Sequence, residues 1–386
     1  MNVFSTQLER EIAPLLRGLT FDGKKGLIVR RSDGKAVDLN LGSVRAGDSI
    51  AEAVGRWSAQ LDDYTKAHRL YPAVIGFEEP KIQFGLGTNW DEAVRAEGVS
   101  MVVGLPASFT RDDVVRDCVA VVTGGAQGFG EGIVRSLVEH GAFVWIADMN
   151  EAGATALADE LNHEACITVA KPVKVNVTDE ASVSRMMETV VDECGGVDLF
   201  ISNAGVLRSG SVKTMSLKDF QFVTDVDYTG FFICTKFTSP VMALQNLPSG
   251  AYYSDIIAIS SKSGLEGSNK NGAYAGAKFG TIGLTQSFAL ELIEDNIKVN
   301  AVCPGNFLDG PLWSDPEKGL FVQYLEAGKV SGAKTVEDVR RAYESKVPMG
   351  RGCNTLDVMK AILYIVEQTY ETGQAVPVTG GQVMLN

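Results

Sequence analysis

From Asp117 to the C-terminus, short β-branched runs alternate with amphipathic stretches, and this alternation constrains the fold more than any other feature of the chain. CVAVV (118–122), FVWIA (143–147), VKVNV (173–177), DLFIS (198–202), DIIAIS (255–260) and KVNAV (298–302) read as strands, most of them too apolar on both faces for a half-solvated sheet. Residues 130–140, 180–194, 217–246 and 273–295 carry helical periodicity between them. Parallel neighbours need crossovers of this length, and right-handed crossovers wind six or seven strands into an open sheet with helices on both faces. The prediction is an α/β fold with a doubly wound parallel sheet over residues 117–386.

Residues 1–112 lack that rhythm and read as a small α/β N-terminal domain. GLIVRR (26–31) and KAVDLNL (35–41) flank Ser-Asp-Gly and predict a hairpin. Residues 48–67 and 89–97 predict helices, and PAVIGF (72–77) and KIQFGLG (81–87) predict strands. No catalytic constellation is visible in this segment, whose role stays open.

The 35 Lys and Arg against 48 Asp and Glu leave a formal charge of −13 with no basic cluster. Such a surface repels nucleic acid and anionic lipid. The opening MNVFSTQLEREIAPLL is too charged for a signal peptide, and no run approaches the roughly 18 apolar residues of a membrane span. The six cysteines stand singly, and none of the three histidines has a partner at ligand spacing. Buried thiols in a reducing cytoplasm, and no metal site, are the expectation.

After CVAVV, the run TGGAQGFGEGI places Thr123, Gly124, Gln127, Gly128, Phe129 and Gly130 at a strand-to-helix turn. Glycines there permit a tight turn and let phosphate oxygens reach the positive helix N-terminus. Asp148 ends the next strand, 18 residues beyond Gly130. A carboxylate at that point accepts ribose hydroxyls and repels a 2′-phosphate, so a Rossmann-type site for NAD rather than NADP is predicted. Asn176 and Val177 fall beside the adenine, and Asn203, Ala204 and Gly205 make a small-residue turn under the cofactor.

Tyr274 and Lys278 are four apart on one predicted helix, so both project from one face. A phenol is a poor proton carrier at neutral pH until a cation favours its phenolate, which Lys278 supplies. Ser261, 13 residues before Tyr274 at a strand end, can hydrogen-bond a substrate oxygen or the phenol. The three make an alcohol–carbonyl proton-transfer site.

TGGAQGFG, Asn-Ala-Gly, the Ser261–Tyr274–Lys278 trio and Pro304-Gly305 together resemble the short-chain dehydrogenase/reductase family over about residues 117–386. The resemblance implies Tyr274 as acid/base, Lys278 as ribose ligand and Ser261 as substrate orienter, with Pro304 and Gly305 beside the cofactor. SKSGLEGSNKNGAYAGAKFG (261–280), PGNFLDGPLW (304–313), KVPMGRGC (346–353) and the closing TGQAVPVTGGQVML resemble the branch of that family acting on hexitol phosphates. This implies NAD(H)-dependent interconversion of a hexitol phosphate and a ketose phosphate, of the sorbitol 6-phosphate and fructose 6-phosphate type. Another polyol or sugar phosphate, or a non-catalytic NADH-binding regulator, stays open. The resemblance also implies a homo-oligomer, tetramer or dimer.

Two residues depart from the family pattern. Asp227, in VTDVDYTGFF, stands where the family usually has an Asn that helps hold a water in the proton path to the lysine; it joins the catalytic candidates, able to hold that water but with a charge that competes for Lys278 and moves the pH optimum, and Asp309 stands where many relatives have a Thr for the nicotinamide carboxamide. For a substrate phosphate, Lys262, Lys270 and Arg351 are the candidate cations, under a lid at 306–347 carrying Phe307, Trp313, Phe321 and Tyr324.

Overall fold

Residues 3–23, 25–96, 99–100, 113–317, 319–326, 328 and 330–384 are described by the computed structural model. The N-terminal segment builds α1 (Leu8–Leu19), β1 (Ile28–Ser32), β2 (Leu39–Asn40), α2 (Ile50–His68), β3 (Leu70–Tyr71), β4 (Val74–Phe77), β5 (Ile82–Gly87), α3 (Trp90–Arg95) and β6 (Val99–Ser100). The boundary expected after residue 112 follows residues 101–112, which lie outside the described residues.

The hairpin expected around Ser-Asp-Gly does not form. β1 pairs antiparallel with β5 and β2 pairs parallel with β4, in the order β1-β5-β4-β2. Residues 33–38 are exposed and have no apolar face to bury, so the centre of the sheet goes to the apolar β4 and β5. Those two form the hairpin instead.

The remainder builds β7 (Val119–Thr123), α4 (Gly128–Glu139), β8 (Phe143–Asp148), α5 (Glu151–Ala165), β9 (Ala170–Lys174), α6 (Glu180–Cys194) and β10 (Leu199–Ser202). It continues through α7 (Leu217–Thr224), a π-helical turn at Asp225–Thr229, α8 (Gly230–Asn246), β11 (Ser254–Ile259), α9 (Gly272–Leu292) and β12 (Ile297–Pro304). The C-terminal part carries α10 (Pro311–Ser314), α11 (Leu320–Glu326), α12 (Val336–Glu344), α13 (Thr355–Glu367) and β13 (Ala375–Val378).

Strands β7 to β13 form one parallel sheet in the order β13-β12-β11-β10-β7-β8-β9. Ile133, Val134, Leu137, Val358 and Ile362 of α4 and α13 cover one face, and Met186, Val190, Phe231 and Met242 of α6 and α8 cover the other. This is the Rossmann-type architecture expected. The strand expected at 173–177 lies earlier, at β9, and includes Pro172. An edge strand tolerates a proline because one of its rows of backbone groups has no strand partner.

The N-terminal segment packs onto this sheet's helical layer. Leu16, Trp57 and Phe84 share a core with Val191 of α6 and Leu244 of α8. Arg17 is fully buried, and its guanidinium lies 2.7 Å from Asp198, at the head of β10. Asp198 also accepts from the Val119 N–H at 2.6 Å, from Gln245 Nε2 at 3.0 Å and from the Tyr252 hydroxyl. Four donors saturate the lone pairs of a carboxylate, which is what burial of a charge requires.

Five cysteines are buried as expected, but Cys166, the left-handed C-cap of α5, is exposed. Among the described residues no helix is long and apolar enough to cross a membrane.

Candidate active site

The glycine turn follows β7 directly. Gly124 and Gly128 have φ of +63° and +62°, and α4 starts at Gly128 with Gln127 as an N-cap whose side chain makes no capping hydrogen bond. The first-turn N–H groups of α4 are therefore not taken by a side-chain cap. A Cβ on Gly130 would lie 2.0 Å from the Gly124 carbonyl oxygen and 2.6 Å from Asn203 Nδ2, so only glycine lets the helix start this close beneath the turn. Above Gly128 the space is open. Free donors, a helix N-terminus and an unfilled cradle fit the pyrophosphate of a nicotinamide dinucleotide.

Asp148 is held at this turn: its carboxylate accepts from the Ala126 N–H at 3.0 Å and the Asn150 N–H at 2.8 Å. Thr123, expected to face the cofactor, is instead fully buried, with its hydroxyl accepting from the N–H groups of Asn203 and Ala204. Asn203 in turn donates to the carbonyls of Thr123 and Gly124 at 3.0 and 3.1 Å. Both are spent joining the ends of β7 and β10. Val177 is a core residue packed against Gly230, and the Asn176 side chain accepts from Thr178, closing the turn before α6. Phe129 stacks on Phe307 with ring centroids 4.6 Å apart, which ties the start of α4 to the loop after β12. In that loop, the Gly305 N–H following Pro304 donates to the Val378 carbonyl at 2.9 Å.

The Ser, Tyr and Lys converge as their spacing requires. Ser261 follows β11, receives the Ser263 N–H at 3.1 Å and acts on the half-buried Tyr274, favouring its phenolate. Lys278, one turn along α9, is buried, with Nζ 5.6 Å from the Tyr274 ring centroid. Its ammonium donates to the Ile259 carbonyl at 3.0 Å and lies 2.9 Å from the Asp227 carboxylate. The π-helical turn, held by the Thr281 hydroxyl donating to the Asp227 carbonyl, carries this buried aspartate, and the Val206 N–H donates to its other oxygen at 2.9 Å. A Cβ on Gly205 would lie 2.8 Å from that carboxylate, so this glycine makes room for the ion pair.

Burial opposes the Lys278 charge, but Asp227 and Tyr274 outweigh it and hold the amine above its ordinary value. The Tyr274 phenol also sits above its ordinary value: burial raises it most, Lys278 and the Ser261 hydrogen bond pull it down, and Asp227 and Cys303 push it up. A phenol so placed can exchange a proton with a substrate oxygen, and the cation beside it bounds the cost of the phenolate.

Other expected residues lie elsewhere. Asp309 pairs with Arg340 of α12 and so fastens the lid. Trp313, Phe321 and Tyr324 do not form an open aromatic face: they pack with Leu308, Val339 and Tyr343 into a small core of the lid itself. Arg351 is held by Asp357 through two hydrogen bonds, at 2.5 and 2.9 Å, and lines a 410 Å³ cavity beside Gly305 and Asn306. Lys270 is exposed at a left-handed turn, with its carbonyl accepting from Gly210 and Ser209. Lys262 is half-buried beside Ser261. The Arg340 clasp carries no local signal, because its partner lies 31 residues away across the lid.

Comparison with known proteins agrees with this geometry. The short chain dehydrogenase family model matches residues 118–315. Sorbitol-6-phosphate 2-dehydrogenase of Escherichia coli K12 is 36% identical over 268 residues, covering 69% of this chain and 98% of that protein. A 3-oxoacyl-[acyl-carrier-protein] reductase of Thermotoga maritima is 30% identical, covering 69% of this chain and 98% of that protein. The crystal structure of sorbitol-6-phosphate 2-dehydrogenase from Erwinia amylovora superposes with a TM-score of 0.64 at 38% identity, covering 69% of this chain and all of that one. The family match spans both the glycine turn and the Ser261–Tyr274–Lys278 cluster, and the chain belongs to the short-chain dehydrogenase family of oxidoreductases acting on alcohol and carbonyl groups.

Proposed function

We propose that this chain is an NAD(H)-dependent dehydrogenase interconverting a hexitol phosphate and a ketose phosphate, of the sorbitol 6-phosphate and fructose 6-phosphate type. The observation that carries the substrate class is the 36% and 38% identity to two sorbitol-6-phosphate 2-dehydrogenases over nearly their whole lengths. Ser261 orients the substrate oxygen, Tyr274 gives or takes its proton, and Lys278 holds the ribose and steadies the phenolate. The nicotinamide, when bound, supplies or accepts the hydride. Following NADH consumption with fructose 6-phosphate, beside unphosphorylated fructose, tests the reading. Turnover with the phosphate ester supports it, and turnover only with other carbonyl compounds discards the substrate while keeping the chemistry.

The preference for NAD rests on Asp148. A fixed carboxylate at the ribose position repels a 2′-phosphate, and the following Met149 and Asn150 bring no cation. Asp148→Ala is expected to narrow the preference for NADH over NADPH by about tenfold or more, the worth of a hydrogen bond to a charged group. An unchanged ratio of kcat/KM values rejects the assignment.

Asp227 acts as a positioning residue through Lys278. The groups facing the Tyr274 phenol are Lys278, Asp227, Ser261 and Cys303, and Asp227 is a negative charge among them. Asp227→Asn removes a charge that raises the phenol, so the Tyr274 pKa falls. The limb of the pH–rate profile that it controls moves to lower pH in both directions, rising earlier for alcohol oxidation and falling earlier for carbonyl reduction. A limb that stays in place rejects the role.

A homo-oligomer in the cytoplasm completes the proposal. Its support is the exposure of Phe232, Phe279 and Leu290 on α8 and α9, together with six unpaired thiols.

A further inference from the structure

The lid that follows β12 has a narrow neck. The Cys353 N–H donates to the Asn306 carbonyl at 2.9 Å, and a Cβ on Gly352 would lie 2.9 Å from that carbonyl oxygen and 3.0 Å from the Leu308 side chain. Beyond this closure Leu308, Trp313, Phe321 and Val339 bury one another, and Arg340 binds both Asp309 and Glu344. A segment with its own core on a narrow base shifts as one body.

A ring contact joins that body to the cofactor turn. Phe307, the first residue past the neck, stacks on Phe129 with centroids 4.6 Å apart and planes 21° from parallel. Gly310 backs the Phe307 ring: a Cβ there would lie 2.5 Å from it, so glycine lets the chain fold tightly over the ring. Both rings are half-buried. Phe129 is the second residue of α4. The Glu131 N–H donates to the Gln127 carbonyl at 3.2 Å, which leaves the N–H groups of Gly128, Phe129 and Gly130 ahead of the intrahelical ladder. Phe129 thus offers its backbone to a phosphate and its ring to the lid.

We propose that Phe307 is a positioning residue that couples the dinucleotide turn to the lid, so that occupancy of the turn favours one lid position. The first turn of α4, once it holds a pyrophosphate, fixes Phe129, and the stack passes that orientation to the neck. The coupling is reciprocal: whatever holds the lid in that position tightens the cofactor by the same factor. The inference rests on the nicotinamide-dinucleotide reading of the glycine turn and does not depend on the identity of the substrate.

Hydrogen–deuterium exchange of the full chain, with and without saturating NAD⁺, reads the lid through peptides covering 308–317 and 335–347. In wild type NAD⁺ is expected to slow exchange there about two- to tenfold, the worth of an aromatic pair. Phe307→Leu and Phe129→Leu abolish that slowing while NAD⁺ still protects the turn at 124–130, and Phe307→Tyr, which keeps the ring, retains it. The quantity compared is the ratio of rates with and without NAD⁺, in which a general loosening of the lid cancels. Slowing that survives in both leucine variants overturns the coupling, as does a wild-type lid that ignores NAD⁺ while the turn is protected. If NAD⁺ leaves the turn itself unprotected, the NAD reading fails by itself. NADP⁺ then takes its place in the same comparison, and a lid that responds to neither dinucleotide overturns the coupling.

Discussion

Tyr274→Phe is expected to lower kcat by about 10² to 10⁴-fold while NADH binding stays within a few-fold, because it removes the proton-carrying oxygen and little else. The ring keeps its place in α9, so packing against Val223, Ala273 and Ala277 survives. What disappears is the phenol whose phenolate Ser261 and Lys278 favour. Single-turnover kinetics with NADH fluorescence separate the two quantities. A kcat within tenfold of wild type would assign the proton to another group, with the Ser261 hydroxyl next in line. A parallel loss of NADH affinity would instead make Tyr274 chiefly a cofactor ligand.

The second large effect concerns stability. Arg17→Met keeps roughly the reach of the side chain and removes its charge, leaving the buried Asp198 carboxylate without its ion-pair partner. Breaking a buried pair in this way costs about 3–5 kcal/mol, which corresponds to a fall in Tm of about 4–6 °C for a protein of this size. Burial opposes the Asp198 charge, but Arg17 and Lys25 outweigh it and hold the carboxylate below its ordinary 3.8. The stability this group contributes is therefore fully present above about pH 4 and is lost as pH falls through its lower folded value. In the variant that acid-dependent contribution shrinks, so the difference in Tm between variant and wild type narrows toward low pH. A Tm within about 2 °C of wild type at neutral pH would show that Asp198 is sufficiently held by Val119, Gln245, Tyr252 and the charge of Lys25.

This network also bears on why the chain carries its N-terminal segment. Arg17 and Lys25 both act on Asp198, which lies at the amino end of the parallel sheet. The segment supplies charges that the dehydrogenase core uses, and β1 and α1 rest on α6 and α8. We infer that the described residues of the N-terminal segment are a structural part of the enzyme rather than a detachable module.

Much of the site is legible in the residues because its signals are local. A glycine turn between a strand and a helix, a carboxylate at the next strand end, and a Tyr and Lys one helical turn apart are set by backbone periods of two and 3.6 residues. Those periods hold whatever surrounds them. The same reasoning does not show that the Thr123 hydroxyl is taken by Asn203 and Ala204 or that the Val177 side chain packs on Gly230, since a strand end fixes where a residue lies along the chain and not which neighbour takes its side chain. It also places β9 three residues late, because a proline reads as a strand breaker until the strand is known to lie at the edge.

Pairing across the chain decided the rest. Asp227 reads as a charge competing for Lys278, and the π-helical turn with the room left by Gly205 is what brings the two into a buried ion pair. Arg17 carries no signal in the sequence, where helix α1 is not predicted, and the fold buries it against Asp198, 181 residues away. Arg351 reads as a free cation, and Asp357 occupies it. Class, topology and the proton-transfer trio follow from hydrophobic periodicity and backbone geometry, which act over a few residues. Charge partners depend on distances between segments remote in sequence, and those distances exist only once the chain has folded.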